Sequence, residues 1–263
     1  MTWSPEFISK KNRINKPILI EGLPGIGNVG KVTVDFLIDA LKAKKILHFK
    51  SNDYPHTVFV NEENLIELPT IEVYWKQHNN SDILLLAGDV QPLNEHSCYE
   101  FSNTVLDLFQ DFKGKSIITL GGIALRHVPK HPQVFCTGTS KDMITHYAQG
   151  TQINQKLYGI VGPIIGVSGV LLGLAGQRSI PAVSLLAETY GHPLYLGVNG
   201  AREIITILNK KLRLGLDMQR LDKQINDLDK EFTQRTKEMN ALRTQQAFAR
   251  LRGKIGKEVS YIG

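Results

Sequence analysis

The stretch Ile18-Leu19-Ile20-Glu21-Gly22-Leu23-Pro24-Gly25-Ile26-Gly27-Asn28-Val29-Gly30-Lys31 constrains this chain most. An apolar strand runs into a turn crowded with glycine, and an amphipathic helix begins near Asn28. That order opens an α/β domain, because a strand buried on both faces needs a crossover helix to cover it. Gly25, Gly27 and Gly30 satisfy the G-x-G-x-x-G spacing of dinucleotide turns. Gly25 to Lys31 also satisfy all but the last position of a P-loop, where Val32 replaces the hydroxyl that would reach Mg²⁺. A P-loop nucleotide hydrolase is therefore not expected. A dinucleotide site would need an acid closing the second strand, and Asp53 is the candidate after Lys45-Ile46-Leu47-His48-Phe49. Glycines at these positions equally serve a tight turn and a helix lying close on a sheet.

Along the chain, strands and helices alternate: a strand at 17–21, a helix at about 28–42 and a strand at 45–49, with parallel pairing implied. Thr57 to Val60 and Leu65 to Tyr74 read as a hairpin turned by Glu62-Glu63-Asn64. Asp82 to Ala87 is an apolar strand closed by Gly88, and Asp89 follows at its carboxyl end, where α/β domains bind ligands. A helix from about Glu95 to Phe112 stops at Gly114. Strands at 116–120 and 133–137 follow, and Ser140 caps a further helix. Residues 157–161 read as a buried strand, with a helix after it whose Gly166, Gly169, Gly173 and Gly176 form a smooth face for close packing. A strand at 182–187 and a long helix from near Asn199 complete the body. The expectation is a doubly wound three-layer α/β/α domain with a mostly parallel sheet.

With 263 residues, 42% of them hydrophobic, the chain can bury a substantial core. Its two cysteines, Cys98 and Cys136, suit a reducing compartment, so a cytoplasmic location is expected. The first sixteen residues carry Lys10, Lys11, Arg13 and Lys16 with no apolar core after them, and read as an N-terminal extension rather than a signal peptide. Leu157 to Gln177 has no charged residue over nearly a bilayer's thickness, but its glycines and Pro163 argue against a membrane span.

The C-terminal region differs in kind. Met218, Leu221, Ile225, Leu228, Phe232, Met239, Leu242 and Ala249 fall on an alternating 3,4 spacing, a heptad seam that another helix must cover. The organisation expected is an extension at 1–16, an α/β domain at 17–215, a coiled-coil helix at 216–252 and a flexible tail at 253–263. The net charge of +6 sits here: residues 202–263 hold 14 Lys and Arg against 8 Asp and Glu, and the rest of the chain is balanced. A basic arm favours an acidic partner surface, with nucleic acid as a competing partner. The tail ends in Tyr261-Ile262-Gly263, which suits insertion into a pocket with apolar walls and a cation for the carboxylate.

Convergent titratable groups are scarce. His127 and His131 flank Val128-Pro129-Lys130, where the proline forbids a helical metal-ligand pair. His96 and Cys98 lie near a helix start, a weak thiol-nucleophile signal. No metal set or cofactor is expected. The segment Glu21 to Gly30 resembles the opening signature of the PAC2 family, the archaeal relatives of proteasome assembly chaperones. The resemblance continues in Gly88-Asp89-Val90-Gln91-Pro92, in Leu120-Gly121-Gly122, in Gly166 to Leu174 and in Pro181 to Thr189. It implies a non-enzymatic protein that forms homo-oligomers and binds the α-subunits of the 20S proteasome. It also implies docking by the tail through Tyr261, Ile262 and Gly263, although Tyr261 stands third from the end where the family's rule has it penultimate. The other reading is a nucleotide- or nucleoside-binding enzyme using Gly25, Gly27, Gly30, Asp89 and the Gly121-Gly122 turn.

Overall fold

The computed structural model describes residues 2–8, 14–79, 81–156, 159, 162–192, 195–223, 225 and 227. The strands are β1 (Trp3–Phe7), β2 (Ile18–Glu21), β3 (Lys44–Ser51), β4 (Phe59–Val60), β5 (Ile66–Glu67), β6 (Ile71–Lys76), β7 (Ile83–Gly88), β8 (Ser116–Leu125), β9 (Val134–Gly138), β10 (Ile153–Asn154) and β11 (Ala182–Tyr190). The helices are α1 (Val29–Leu41), α2 (Glu95–Asp111), α3 (Lys141–Ala148), α4 (Val167–Gln177) and α5 (Val198–Leu212). Nine strands form one sheet in the order β1-β3-β6-β7-β2-β8-β11-β9-β10, and β4 pairs with β5 in a separate hairpin.

The sheet is mixed rather than mostly parallel. β7, β2, β8 and β11 run parallel, and β10 runs parallel to β9, but β1, β3, β6 and β7 alternate in direction and β9 opposes β11. The strand at 45–49 is not a parallel neighbour of the strand at 18–21. It lies three places away, between β1 and β6, because the hairpin after it returns the chain antiparallel. Its exposure fits that position, with Ile46, Leu47 and Phe49 buried but Lys44, Lys45 and Lys50 exposed, since antiparallel outer strands can keep wet positions.

Helices cover both faces. α1, α3 and α5 pack on one, where Val34, Leu37, Ile204 and Leu208 meet Ile20, Leu85, Ile118 and Leu185. α2 and α4 cover the other, with Phe101, Leu106, Leu171 and Ala175 over Leu19, Leu84, Ile117 and Ala182. Asn94 and Ser140 cap α2 and α3, their side-chain oxygens accepting from the N–H of Ser97 at 2.8 Å and of Met143 at 3.2 Å. The first residues do more than extend the chain: β1 pairs with β3, and Trp3 is buried with its indole N–H donating to Ser97 Oγ at 2.9 Å. Its ring lies 4.9 Å from both Tyr54 and Phe101.

Other expectations shift. The apolar stretch 65–74 breaks into β5 and β6 around Pro69, which has no N–H to give a ladder. Gly121 and Gly122 are not a turn but lie inside β8. In α4 the buried face is Val167, Leu171 and Ala175, whereas Gly173 and Gly176 are exposed and nothing lies within 4 Å of where a Gly173 Cβ would sit. The strand expected at 157–161 lies outside the described residues except for Gly159. By compactness the chain divides into Met1–Met218 and Gln219–Gly263. Most of the expected coiled coil, and the whole tail, fall outside the described residues. Among those described, no helix is long and apolar enough to cross a membrane.

Candidate functional site

Each central strand points its carboxyl end at the same rim, and the glycine turn crosses that rim after β2. Pro24 to Asn28 contains a 3₁₀ turn, Ile26–Asn28, with Gly27 at φ 59° and Asn28 at φ 51°, both left-handed. Left-handed backbone at two successive residues reverses the chain sharply enough for α1 to start beside the strand it leaves.

The glycines of the turn differ in what surrounds them. A Cβ on Gly27 would stand 2.5 Å from Thr189 Oγ1, and one on Gly30 would stand 2.7 Å from the Leu120 carbonyl oxygen. A Cβ on Gly22 would meet the Gly30 carbonyl at 2.2 Å, and one on Gly122 the Ile26 carbonyl at 2.3 Å. Missing side chains at 22, 27, 30 and 122 therefore let α1 and its turn lie on β8 and β11, backbone against backbone. Gly25 is the exception: its backbone is extended and nothing lies within 4 Å of its Cβ position.

Asp89 sits at the end of β7, and its carboxylate is already committed. Oδ2 accepts from the Thr70 N–H at 3.0 Å and the Thr70 hydroxyl at 2.9 Å. Lys31, at the P-loop lysine position, lies 3.1 Å from Asp35 and 3.9 Å from Asp89. Gln91 ties the turn to α4, its amide donating to the Pro24 carbonyl at 2.9 Å and accepting from the Val167 N–H at 3.1 Å. Between turn and helix lies a cavity of about 500 Å³ lined by Gly25, Ile26, Gly122, Ile164, Ile165 and Leu186 among others, with no ionisable side chain.

The acid that sequence reasoning passed over is Glu21. It ends β2 fully buried, Oε1 accepting from the Leu23 N–H at 3.1 Å and Oε2 from the Ser168 hydroxyl at 2.8 Å. Burial pushes its carboxyl up to about 7, against the opposing pull of those donors and of the Leu120 backbone. Its signal was in plain view: one acid completing an otherwise apolar strand directly before glycine. Glu21 holds the first turn of α4 to β2 through Ser168.

The remaining candidates do not converge. Asp53 follows β3, which is three strand spacings from β2, about 14 Å at some 4.8 Å each, so it cannot serve a ligand on the glycine turn as a dinucleotide acid would. Cys98 is buried, and burial together with the Glu21 charge raises its thiol, the reverse of nucleophile activation. His127 and His131 are exposed, and among the described residues no three His, Cys, Asp or Glu side chains gather as a metal set. Tyr261, Ile262 and Gly263 lie outside the described residues.

The family model of the PAC2 family matches residues 19–235. Among solved structures, Pyrococcus furiosus PbaB, described as an archaeal proteasome activator, is 29% identical, with a TM-score of 0.79 over 89% of this chain and 99% of that one. Pyrococcus furiosus PbaA, described as an archaeal homologue of proteasome-assembly chaperone, shares the fold at 22% identity and a TM-score of 0.70, over 98% of this chain and 99% of that one. An uncharacterised protein of Methanocaldococcus jannaschii is 26% identical over 87% of this chain and 88% of its own length.

Proposed function

The chain belongs to the PAC2 family, and from that premise we propose that it is a non-catalytic, cytoplasmic proteasome assembly chaperone-like protein. In this reading it self-associates and binds the 20S proteasome or its α-subunits. The observation that carries the reading is the likeness to PbaB, spread over almost the whole of that activator's length rather than confined to one motif. The use of the rim's small and polar groups supports it: four glycines serve packing, and Asp89 and Gln91 serve loop and helix anchoring. The domain plan proposed is an α/β body to about residue 215, a coiled-coil arm at 216–252, and a tail at 253–263 that docks through Tyr261, Ile262 and Gly263.

The test is capture of purified 20S particles and isolated α-rings by the full chain and by a form lacking residues 261–263. Loss of capture in the shortened form is expected, and undiminished capture would remove the docking role from the tail.

A nucleotide- or nucleoside-binding reading has one observation in its favour, the cavity beside Gly25. Calorimetric titration with ATP, NAD and a purine nucleoside separates the two readings, and the blocking substitution belongs at Gly25. A side chain at Gly27 would collide with Thr189 and damage the fold, whereas Gly25→Asp has room and would close the turn selectively. The scaffold reading expects no binding by either form.

A further inference from the structure

The exposed apolar surface is concentrated on one rim. Thirteen large hydrophobic side chains are exposed among the described residues, and ten of them lie in loops at the carboxyl ends of β3, β7, β2 and β8 or directly before α4. Six of the thirteen stand on or beside the β4–β5 hairpin, where Val60 is 67%, Ile66 72% and Leu68 74% exposed. Phe59 and Val60 are successive residues on opposite faces of this ribbon, and both are exposed. A two-stranded ribbon of two residues a side, apolar on both faces, is not stable on its own in water. Its loop is nevertheless closely organised: Asn61 Oδ1 accepts from the N–H groups of Glu63 and Leu65 at 3.0 and 2.9 Å, and Asn64 is left-handed at φ 62°. An ordered ribbon with apolar faces is built to be covered.

Charge identifies what covers it. From Thr57 to Leu68 the ribbon carries Glu62, Glu63 and Glu67 and no basic residue. The loop after β8 carries Arg126, His127, Lys130 and His131 and no acid, around Val128, which is 49% exposed. Both project from the same rim. The ribbon leaves between β3 and β6 and the basic loop leaves β8, three to four strand spacings away, about 14–19 Å at some 4.8 Å each. Midway between them, at β7 and β2, the rim presents the exposed Ile26 and Ile165. A two-fold axis normal to the sheet at that midpoint reverses the strand order of a facing copy. It carries each acidic ribbon onto the other copy's basic loop and places the isoleucines at the centre, which is the self-complementarity a two-fold interface needs.

We propose that two copies of this chain associate rim to rim through the carboxyl ends of their central strands, the β4–β5 ribbon of each seated on the Arg126–His131 loop of the other. The inference rests on the self-association included in the functional reading above and names its surface.

The full chain is tested by native mass and sedimentation. Val60→Asp with Ile66→Asp changes only exposed side chains, and is expected to at least halve the native mass at about 10 µM. Glu62→Lys with Glu63→Lys, and separately Arg126→Glu with Lys130→Glu, are expected to weaken association about tenfold each, and mixing the two proteins restores it. A Glu63→Cys protein mixed with a Lys130→Cys protein forms a mixed disulfide under mild oxidation; within one chain the two positions are too far apart to bridge. The native cysteines are buried and do not compete. Unchanged mass in the hairpin and charge variants, or no mixed disulfide, overturns the surface. A wild-type monomer at about 100 µM overturns self-association as well. Capture of 20S particles is read separately, so failure of the rim and failure of the chaperone reading are distinguishable.

Discussion

Glu21 and Gly25 show how much a single position can carry. Because the folded protein raises the Glu21 carboxyl from 4.5 to about 7, folding holds its proton more tightly than the unfolded chain does. The resulting stabilisation is complete below about pH 4.5 and is lost as pH rises through about 7, on the order of 3 kcal/mol in all. Glu21→Gln is therefore expected to flatten the dependence of unfolding free energy between about pH 5 and 8. It should leave the protein more stable than wild type at pH 8, as measured by urea titration across pH. A wild-type profile with no slope in this window would refute the assignment. The glycines give a paired prediction. Gly25→Ala, with open space around it, should change stability by less than about 0.5 kcal/mol. Gly30→Ala gains up to about 1 kcal/mol of helix propensity, but its methyl meets a backbone oxygen that cannot turn aside. The collision prevails, and a net loss of about 2 kcal/mol is expected. The spacing of these glycines was legible in the sequence, but their division into packing and open positions was not, because it depends on Thr189 and Leu120, which are remote in the chain.

Elements were recognised best where capping and periodicity agree. The helices at 29–41, 95–111 and 141–148, the apolar strands at 18–21 and 83–88, and the first half of β8 at 116–120 follow from such local signals. Strand order did not follow, since whether β3 pairs with β2 or β6 depends on what the intervening hairpin does in space. The glycine-bearing helix was recognised and its buried side was not: Val167, Leu171 and Ala175 form as regular a stripe as the glycines, and only the position of α2 decides between them. Past the end of α4, Arg178 reaches across to α2, meeting Asp107 at 2.6 Å, Gln110 at 2.8 Å and Asn103 at 2.8 Å. One guanidinium with three acceptors on one helix fixes the pair better than a lone surface ion pair does. Arg178→Ala should cost about 1–2 kcal/mol in urea titration and speed amide exchange in α4, whereas Arg178→Lys should recover only part of the loss.

At the scale of the whole molecule, charge and apolar surface are segregated. The first 201 residues are electrically balanced, most of the exposed large apolar side chains among the described residues lie on one rim, and the basic surplus belongs to residues 202–263. If the arm meets an acidic partner, capture of 20S particles should fall at least about fivefold between about 0.05 and 0.5 M salt. Capture that ignores salt would assign the contact to apolar groups alone. Family membership was legible in short glycine-rich signatures, and Gly22, Gly30 and Gly122 within them lie where backbone approaches backbone most closely. The rim as a surface was not, since its residues come from loops scattered between Ile26 and Ile165.

The outermost strand has a consequence of its own. Trp3–Phe7 seals the flank of Lys44–Ser51, held there by its pairing with that strand, by the seat of Trp3 beside Ser97, Tyr54 and Phe101, and by Glu6 facing His48 and Lys50. A protease that clipped the first eight residues would bare a row of unpaired amides and carbonyls along Leu47 to Phe49. Such a nicked form would seed side-by-side stacking into ribbons, so the integrity of the first eight residues decides whether the protein stays a discrete particle.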